Sequence, residues 1–154
     1  MRNIRLRAFG VAFLGLALSA CQPSAPDAVA VKYAWARLSP VAGRPAALYF
    51  TLTGAAKPDR LVAIDSALVQ RIELHESMGG GTEGMMSMKP LAGVDVPPGG
   101  SALFQPGGKH AMLFGVDPAI TPGTAIPLRF RFASGKAVEG EAKTVGAGGE
   151  APGF

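Results

Sequence analysis

The sequence predicts a single all-β domain, an antiparallel Greek-key sandwich or barrel, and three observations support this. Apolar and polar residues alternate with a period of two along most of the chain, as in half-buried strands, and helical periodicity is weak. Glycine and proline, with 21 and 13 residues, separate these runs at intervals typical of short strands and tight turns. The length of 154 residues allows one hydrophobic core and leaves no room for a second.

The individual strands follow from this alternation. We expect Val29, Val31, Tyr33 and Trp35 to share one face of the first strand, because alternate residues point to the same side. Further strands are predicted at 48–53, 61–64, 68–75, 86–91, 101–105, 111–116, 126–132 and 137–145. Many short strands with such turns predict a cupredoxin- or immunoglobulin-like arrangement.

The N-terminal segment is predicted to be a lipoprotein-type signal peptide, residues 1–20. Three arginines precede an apolar run at 8–18, which is too short for a transmembrane helix of about 20 residues. The sequence Leu-Ser-Ala-Cys at 18–21 resembles a bacterial lipobox, in which the cysteine is acylated. Lipidation of Cys21 also explains a lone cysteine in an exported chain.

The remaining chain divides into three predicted parts. Residues 21–28 form the lipidated cysteine and a tether rich in alanine, proline and serine, residues 29–145 form the β domain, and residues 146–154 form a flexible glycine-rich tail. Loss of the leader with its three arginines lowers the formal charge from +4 to about +1. With no basic stripe among aromatic residues, nucleic-acid binding is not expected.

Methionine thioethers and histidine imidazoles are concentrated in one quarter of the chain. Apart from the initiator, all methionines and both histidines lie between positions 75 and 112. Methionine that only fills gaps in a core would be scattered over all strands, so this clustering indicates a metal site. The candidate donors are His75, Met78, Met85, Met86, Met88, His110 and Met112.

Local spacing and ligand type indicate Cu(I). His110 and Met112 are two residues apart and so share one face of a strand, and His75 is expected to point away from the apolar face of its own strand. Neutral thioethers favour Cu(I) over zinc, magnesium or calcium. A zinc site would normally use thiolates or three His and carboxylate ligands, and the chain has one cysteine.

These residues resemble the signature of the periplasmic copper chaperones called PCu(A)C: a histidine, ten residues, a methionine, twenty-one residues and His-x-Met. Met88 and His110 are separated by twenty-one residues, and His110 and Met112 supply the His-x-Met element. The flanking sequences at 34–37, 59–62, 86–90, 96–100 and 106–113 also look like family positions. The resemblance covers about residues 29–145.

The first spacing departs from the family pattern. Twelve residues separate His75 from Met88, two more than in the signature, whereas Met86 has the expected ten. We assign Met88 because its Lys-Pro flank fits and because insertions are tolerated in the glycine loop at 79–81. The predicted ligands are therefore His75, Met88, His110 and Met112, with Met86 as the alternative to Met88.

The resemblance implies a Cu(I) metallochaperone without enzymatic activity, a monomer held by its lipid on the periplasmic side of a bacterial membrane. Its expected partners are copper-accepting proteins such as respiratory oxidase subunit II or a thiol-containing copper-assembly protein. The alternative is a copper-storage or detoxification lipoprotein that uses the same site. The segment 140–154 contains no histidine or methionine, so no second copper site is expected there.

Overall fold

The computed structural model describes residues 26–79 and 87–154, which form ten strands. The predicted signal peptide, Cys21, Met85 and Met86 lie outside these residues. No helix in the described ranges is long and apolar enough to cross a membrane. The strands are β1 Ala30–Arg37, β2 Ala46–Thr53, β3 Asp59–Asp65, β4 Val69–Met78, β5 Ser87–Pro90, β6 Val94–Val96, β7 Ser101–Phe104, β8 Lys109–Val116, β9 Ala125–Phe132 and β10 Ala137–Val145.

The strands form one mostly antiparallel, unclosed sheet. Its order is β5-β4-β8-β2-β1-β10-β9-β3-β6, and β7 pairs with the second half of β2. β1 and β10 run parallel, whereas the other pairs are antiparallel. The predicted all-β class is therefore confirmed, and β4, β5 and β8, which carry the candidate ligands, lie together at one end of the sheet.

The core lies between the two halves of this curved sheet. Phe50 of β2 stacks on Phe104 of β7, with ring centroids 4.1 Å apart, and meets Phe130 of β9 edge to face at 5.0 Å. β2 and β9 are separated by two other strands in the sheet, so this contact crosses the core. The core-facing residues of β2 and β9 are those expected from alternation, and all are buried: Leu48, Phe50, Leu52, Ile126, Leu128, Phe130 and Phe132.

A β-bulge in β1 overturns the expectation that Val31 and Trp35 share a face. Lys32 pairs with Thr51 and Trp35 pairs with Tyr49, so three residue steps on β1 lie opposite two steps on β2. Tyr33, inside the bulge, has a φ of 55°. Because side chains alternate along a strand, one extra residue moves all later side chains to the opposite face. Val31 packs against the core, whereas Trp35 lies on the outer face of the sheet, opposite Tyr49.

Two further features differ from or extend the expected organisation. β6 was not expected, because three residues are too few for a clear period. Val94 and Val96 are buried where it pairs with β3.

The C-terminal segment 146–154 forms no strand, but Arg37 donates a hydrogen bond to the Gly149 carbonyl at 3.1 Å. The ring of Phe154 also lies 5.4 Å from that of Tyr33. The tail therefore contacts β1.

Candidate metal centre

Pairing of β4 with β8 brings the two histidines together. His75 and His110 are 35 residues apart in sequence but are direct cross-strand partners, and their ring centroids are 6.0 Å apart. Leu74, Ala111 and Leu113 occupy the core face of the same strands. Both imidazoles therefore lie on the outer face, as the alternation in the sequence indicates.

His110 is buried although it lies on the outer face, with 5 % of its surface exposed. Its Nδ1 lies 3.0 Å from the Gly108 carbonyl oxygen. A carbonyl oxygen only accepts, so Nδ1 carries the hydrogen and donates it, and in the neutral ring Nε2 keeps its lone pair. The local fold therefore prepares Nε2 of His110 as a metal donor.

His75 is also held by a neighbour on its own strand. Its Nε2 lies 3.2 Å from Oε2 of Glu73, two residues earlier and hence on the same face. Its Nδ1 is buried and has no hydrogen-bond partner among the described residues. A buried polar atom without a partner is costly and calls for an explanation. A bound metal ion would supply the missing partner.

Met112 and Met88 lie on the same face as the two histidines. Met112 is half-buried on β8 and is the cross-strand partner of Glu73. This pair lies two positions along the strands from the pair of His75 and His110. Met88 is the partner of Ser77 on the edge strand β5, and 55 % of its surface is exposed. The structure thus places all four predicted ligands on one face of three adjacent strands, with Met88 the most accessible.

Met78 is exposed at the end of β4 and, by strand parity, points to the opposite face from Ser77 and His75. It is therefore not grouped with the four candidate ligands. Met85 and Met86 fall outside the described residues, so the choice between Met86 and Met88 stays a prediction.

An aromatic cluster lies on the outer face of the neighbouring strands β1 and β2. Trp35 and Tyr49 are both buried, with ring centroids 4.6 Å apart, and the Arg37 guanidinium lies 5.1 Å from the Trp35 ring. Burial raises the pKa of the Tyr49 hydroxyl above its ordinary value of 10.0, an effect that the charge of Arg37 partly offsets. Tyr49 therefore stays neutral at physiological pH and adds no anionic donor to this face.

The four candidate ligands on this face are uncharged, and two of them are soft thioethers. Within 26–79 and 87–154, no group of three or more His, Cys, Asp and Glu side chains is arranged to hold an ion. A cavity of about 430 Å³ lies elsewhere, and none of the four ligands borders it. It is lined by residues 38–44, 46, 115–118, 120–122, 146 and 147. The arrangement of two imidazoles and two thioethers on an open face is suited to a soft monovalent cation.

Sequence reasoning did not identify Glu73 as part of this site. Glu76 is the neighbour of His75 in sequence, but adjacent residues on a strand face opposite ways. The structure agrees, since Glu76 pairs with Lys109 at 3.0 Å. The sequence signal for Glu73 is its i, i+2 spacing to His75, because residues two positions apart on a strand share a face.

Solved structures of similar fold are PCuAC domains. A copper-bound PCuAC domain from PmoF2 superimposes with a TM-score of 0.62 at 22% identity, covering 80% of this chain and 96% of that one. The Cu(I) form of DR1885 from Deinococcus radiodurans gives 0.59 at 23% identity, covering 80% and 81%. These likenesses establish a shared cupredoxin-like fold, which is the fold that the resemblance to the PCu(A)C family predicts.

Relatives in sequence are described as lipoproteins. The protein named "Putative lipoprotein Lxx21020" of Leifsonia xyli subsp. xyli is 29% identical over 141 residues, which cover 84% of this chain and 83% of that protein. The family described as "Putative lipoprotein LpqE-like" matches residues 29–144, which is the whole strand-forming region apart from its last residue. The chain belongs to this LpqE-like lipoprotein family.

Proposed function

We propose that this protein is an exported, lipid-anchored carrier that binds one Cu(I) ion and passes it to another protein. The ion is held by His75, Met88, His110 and Met112 and is cargo rather than a resident cofactor. The observation that carries the proposal is the cross-strand pair of His75 and His110, which the fold assembles from distant parts of the sequence.

The spacing of the two imidazoles supports a shared ion. Metal–nitrogen bonds of about 2.0 Å limit two imidazoles on one ion to a centroid separation of roughly 6 Å, and the two rings are 6.0 Å apart. Nδ1 of His75 is free of hydrogen bonds to described residues, and Nε2 of His110 retains its lone pair. The two thioethers then select Cu(I), the softer oxidation state.

The exposure of Met88 favours transfer over storage. A carrier must release its ion by replacing ligands one at a time, and the outermost ligand is the first that a partner can replace. Met88 lies on the edge strand β5 with 55 % of its surface exposed, whereas His110 is 5 % exposed. An acceptor could displace Met88 first while the histidines still hold the ion.

The membership of a lipoprotein family supports export and anchoring. We infer that Cys21 carries the lipid and that the tether up to residue 28 holds the domain near a membrane, on the periplasmic side. Two or more acyl chains are sufficient for stable anchoring. The protein acts as a monomer without turnover, and its acceptors are respiratory oxidase subunit II or a thiol-containing assembly protein.

Titration with Cu(I) against a competing chelator tests this function. The protein used is residues 22–154, which contain all ten strands and the core. We expect one tight equivalent, because one face carries one set of four donors. Met88→Ala should weaken binding by about 10-fold or more, because loss of a ligand costs at least as much as loss of an outer partner of a ligand. Met86→Ala should leave the affinity unchanged.

The same titration separates the alternatives. Loss of affinity in Met86→Ala but not in Met88→Ala would move the methionine ligand by two residues. Several equivalents of Cu(I) per chain would favour storage. If the wild type binds no Cu(I) in competition with the chelator, the carrier function is wrong.

A further inference from the structure

We propose that Glu73 is a positioning residue that sets the tautomer of His75 and thereby selects Nδ1 as the nitrogen that binds copper. This inference rests on the proposed function, because it concerns the same site. It adds a carboxylate that the metal-binding signature does not contain.

The contact that carries the inference is between Glu73 Oε2 and His75 Nε2, at 3.2 Å. Both residues lie on β4, two positions apart, so the strand itself holds their side chains on one face. The His75 side chain is 15% exposed and that of Glu73 is 38% exposed. The contact therefore lies partly away from water, where a charge-assisted hydrogen bond is stronger than at the open surface.

Glu73 is in turn held by its own neighbour. Its other oxygen, Oε1, forms an ion pair with Arg71 Nη1 at 3.1 Å, and the Arg71 guanidinium lies 4.3 Å from the ring centroid of Phe114. Phe114 is the cross-strand partner of Arg71 on β8. The order Phe114, Arg71, Glu73, His75 is therefore a continuous row of contacts that leads to the metal site and restrains the carboxylate.

This row decides which nitrogen of His75 carries the hydrogen. An ionised carboxylate only accepts hydrogen bonds, so Nε2 must be the donor, and in a neutral imidazole the other nitrogen, Nδ1, then has the free lone pair. Nδ1 is the buried atom that has no partner among the described residues. The two histidines thus present different nitrogens to the ion, Nδ1 from His75 and Nε2 from His110.

The charge of Glu73 also acts on the ion. Two imidazoles and two thioethers leave the single positive charge of Cu(I) uncompensated by any ligand. Glu73 contacts His75 and is the cross-strand partner of Met112 on the same face, so it neighbours two ligands in the sheet. A carboxylate bonded to a ligating histidine orients the ring and increases its basicity, as in other metal sites.

Glu76 provides a matched control on the same strand. Its side chain is 38% exposed, as is that of Glu73, and it pairs with Lys109 at 3.0 Å, close to the 3.1 Å of the Arg71–Glu73 pair. Glu76 lies next to His75 in sequence but on the other face. Glu73→Gln and Glu76→Gln therefore each remove one surface ion pair from β4, and Glu73→Gln also removes the charged acceptor of His75.

The experiment uses residues 22–154 and two measurements. First, long-range ¹⁵N–¹H NMR of the copper-free protein in mildly alkaline buffer reports which nitrogen of His75 is protonated. We expect one tautomer with the hydrogen on Nε2 in the wild type and in Glu76→Gln, and a mixture in Glu73→Gln. Second, Cu(I) titration should show Glu73→Gln binding about 10- to 100-fold more weakly, with Glu76→Gln unchanged.

The two proposals fail in different ways. A wild-type His75 with its hydrogen on Nδ1 would overturn the positioning role, and so would equal affinities of the two glutamine variants. If the wild type binds no Cu(I), the copper function is wrong, and the NMR measurement on the copper-free protein still decides whether Glu73 sets the tautomer.

Discussion

Replacing His110 with alanine is expected to abolish tight Cu(I) binding. His110 supplies the most buried donor of the site, and its ring is held in place by the hydrogen bond from Nδ1 to Gly108. Loss of an outer partner of a metal ligand costs about 10- to 100-fold in affinity, so loss of the ligand itself should cost at least about 100-fold. Competition titration with a Cu(I) chelator measures the effect.

Thr144→Val is the control for a general loss of stability. Thr144 and His110 are the two buried polar residues among those described, and Thr144 lies on β10, where its hydroxyl bonds to the carbonyls of Thr121 and Thr124. This variant should unfold at a lower temperature and still bind Cu(I) with wild-type affinity. If His110→Ala binds Cu(I) with wild-type affinity, His110 is not a ligand.

Replacing Phe50 with alanine is expected to cause a large loss of stability. Phe50 is 2 % exposed and contacts the rings of Phe104 and Phe130, so it joins the two halves of the sheet. Phe-to-Ala substitutions in cores cost about 3–5 kcal/mol, which lowers the melting temperature of a domain of this size by roughly 10–20 °C. Thermal unfolding followed by circular dichroism measures the shift.

Leu103→Ala is the matched control for this stability prediction. Leu103 is on β7, next to Phe104, but its side chain is on the outer face and 52 % of its surface is exposed. Its replacement should change the melting temperature by only a few degrees. A similarly small shift in Phe50→Ala would mean that the two halves do not pack through this ring.

At temperatures below its melting temperature, Phe50→Ala should still bind one Cu(I) equivalent, because Phe50 faces away from the ligands.

The sequence by itself determined the strand pattern and the candidate donor set. Alternation along 48–53 and 126–132 predicted which residues enter the core, because a strand buried on one face must place apolar residues at every second position. Apart from the initiator, histidine and methionine occur only between positions 75 and 112. This clustering identified the candidate donors, since their chemistry is a property of residue type. The His-x-Met spacing predicted that His110 and Met112 share a face.

Only the tertiary structure decided which residues face each other across strands. The pairing of His75 with His110 depends on the register of β4 and β8, and register is set by packing of the whole sheet rather than by local sequence. The bulge that moves Trp35 to the outer face depends on the pairing of β1 with β2 in the same way. Alternation of side chains along β4 explains why Glu73, rather than Glu76, contacts His75. The Glu73–His75 distance and the ion pair of Glu73 with Arg71 depend on side-chain packing in three dimensions.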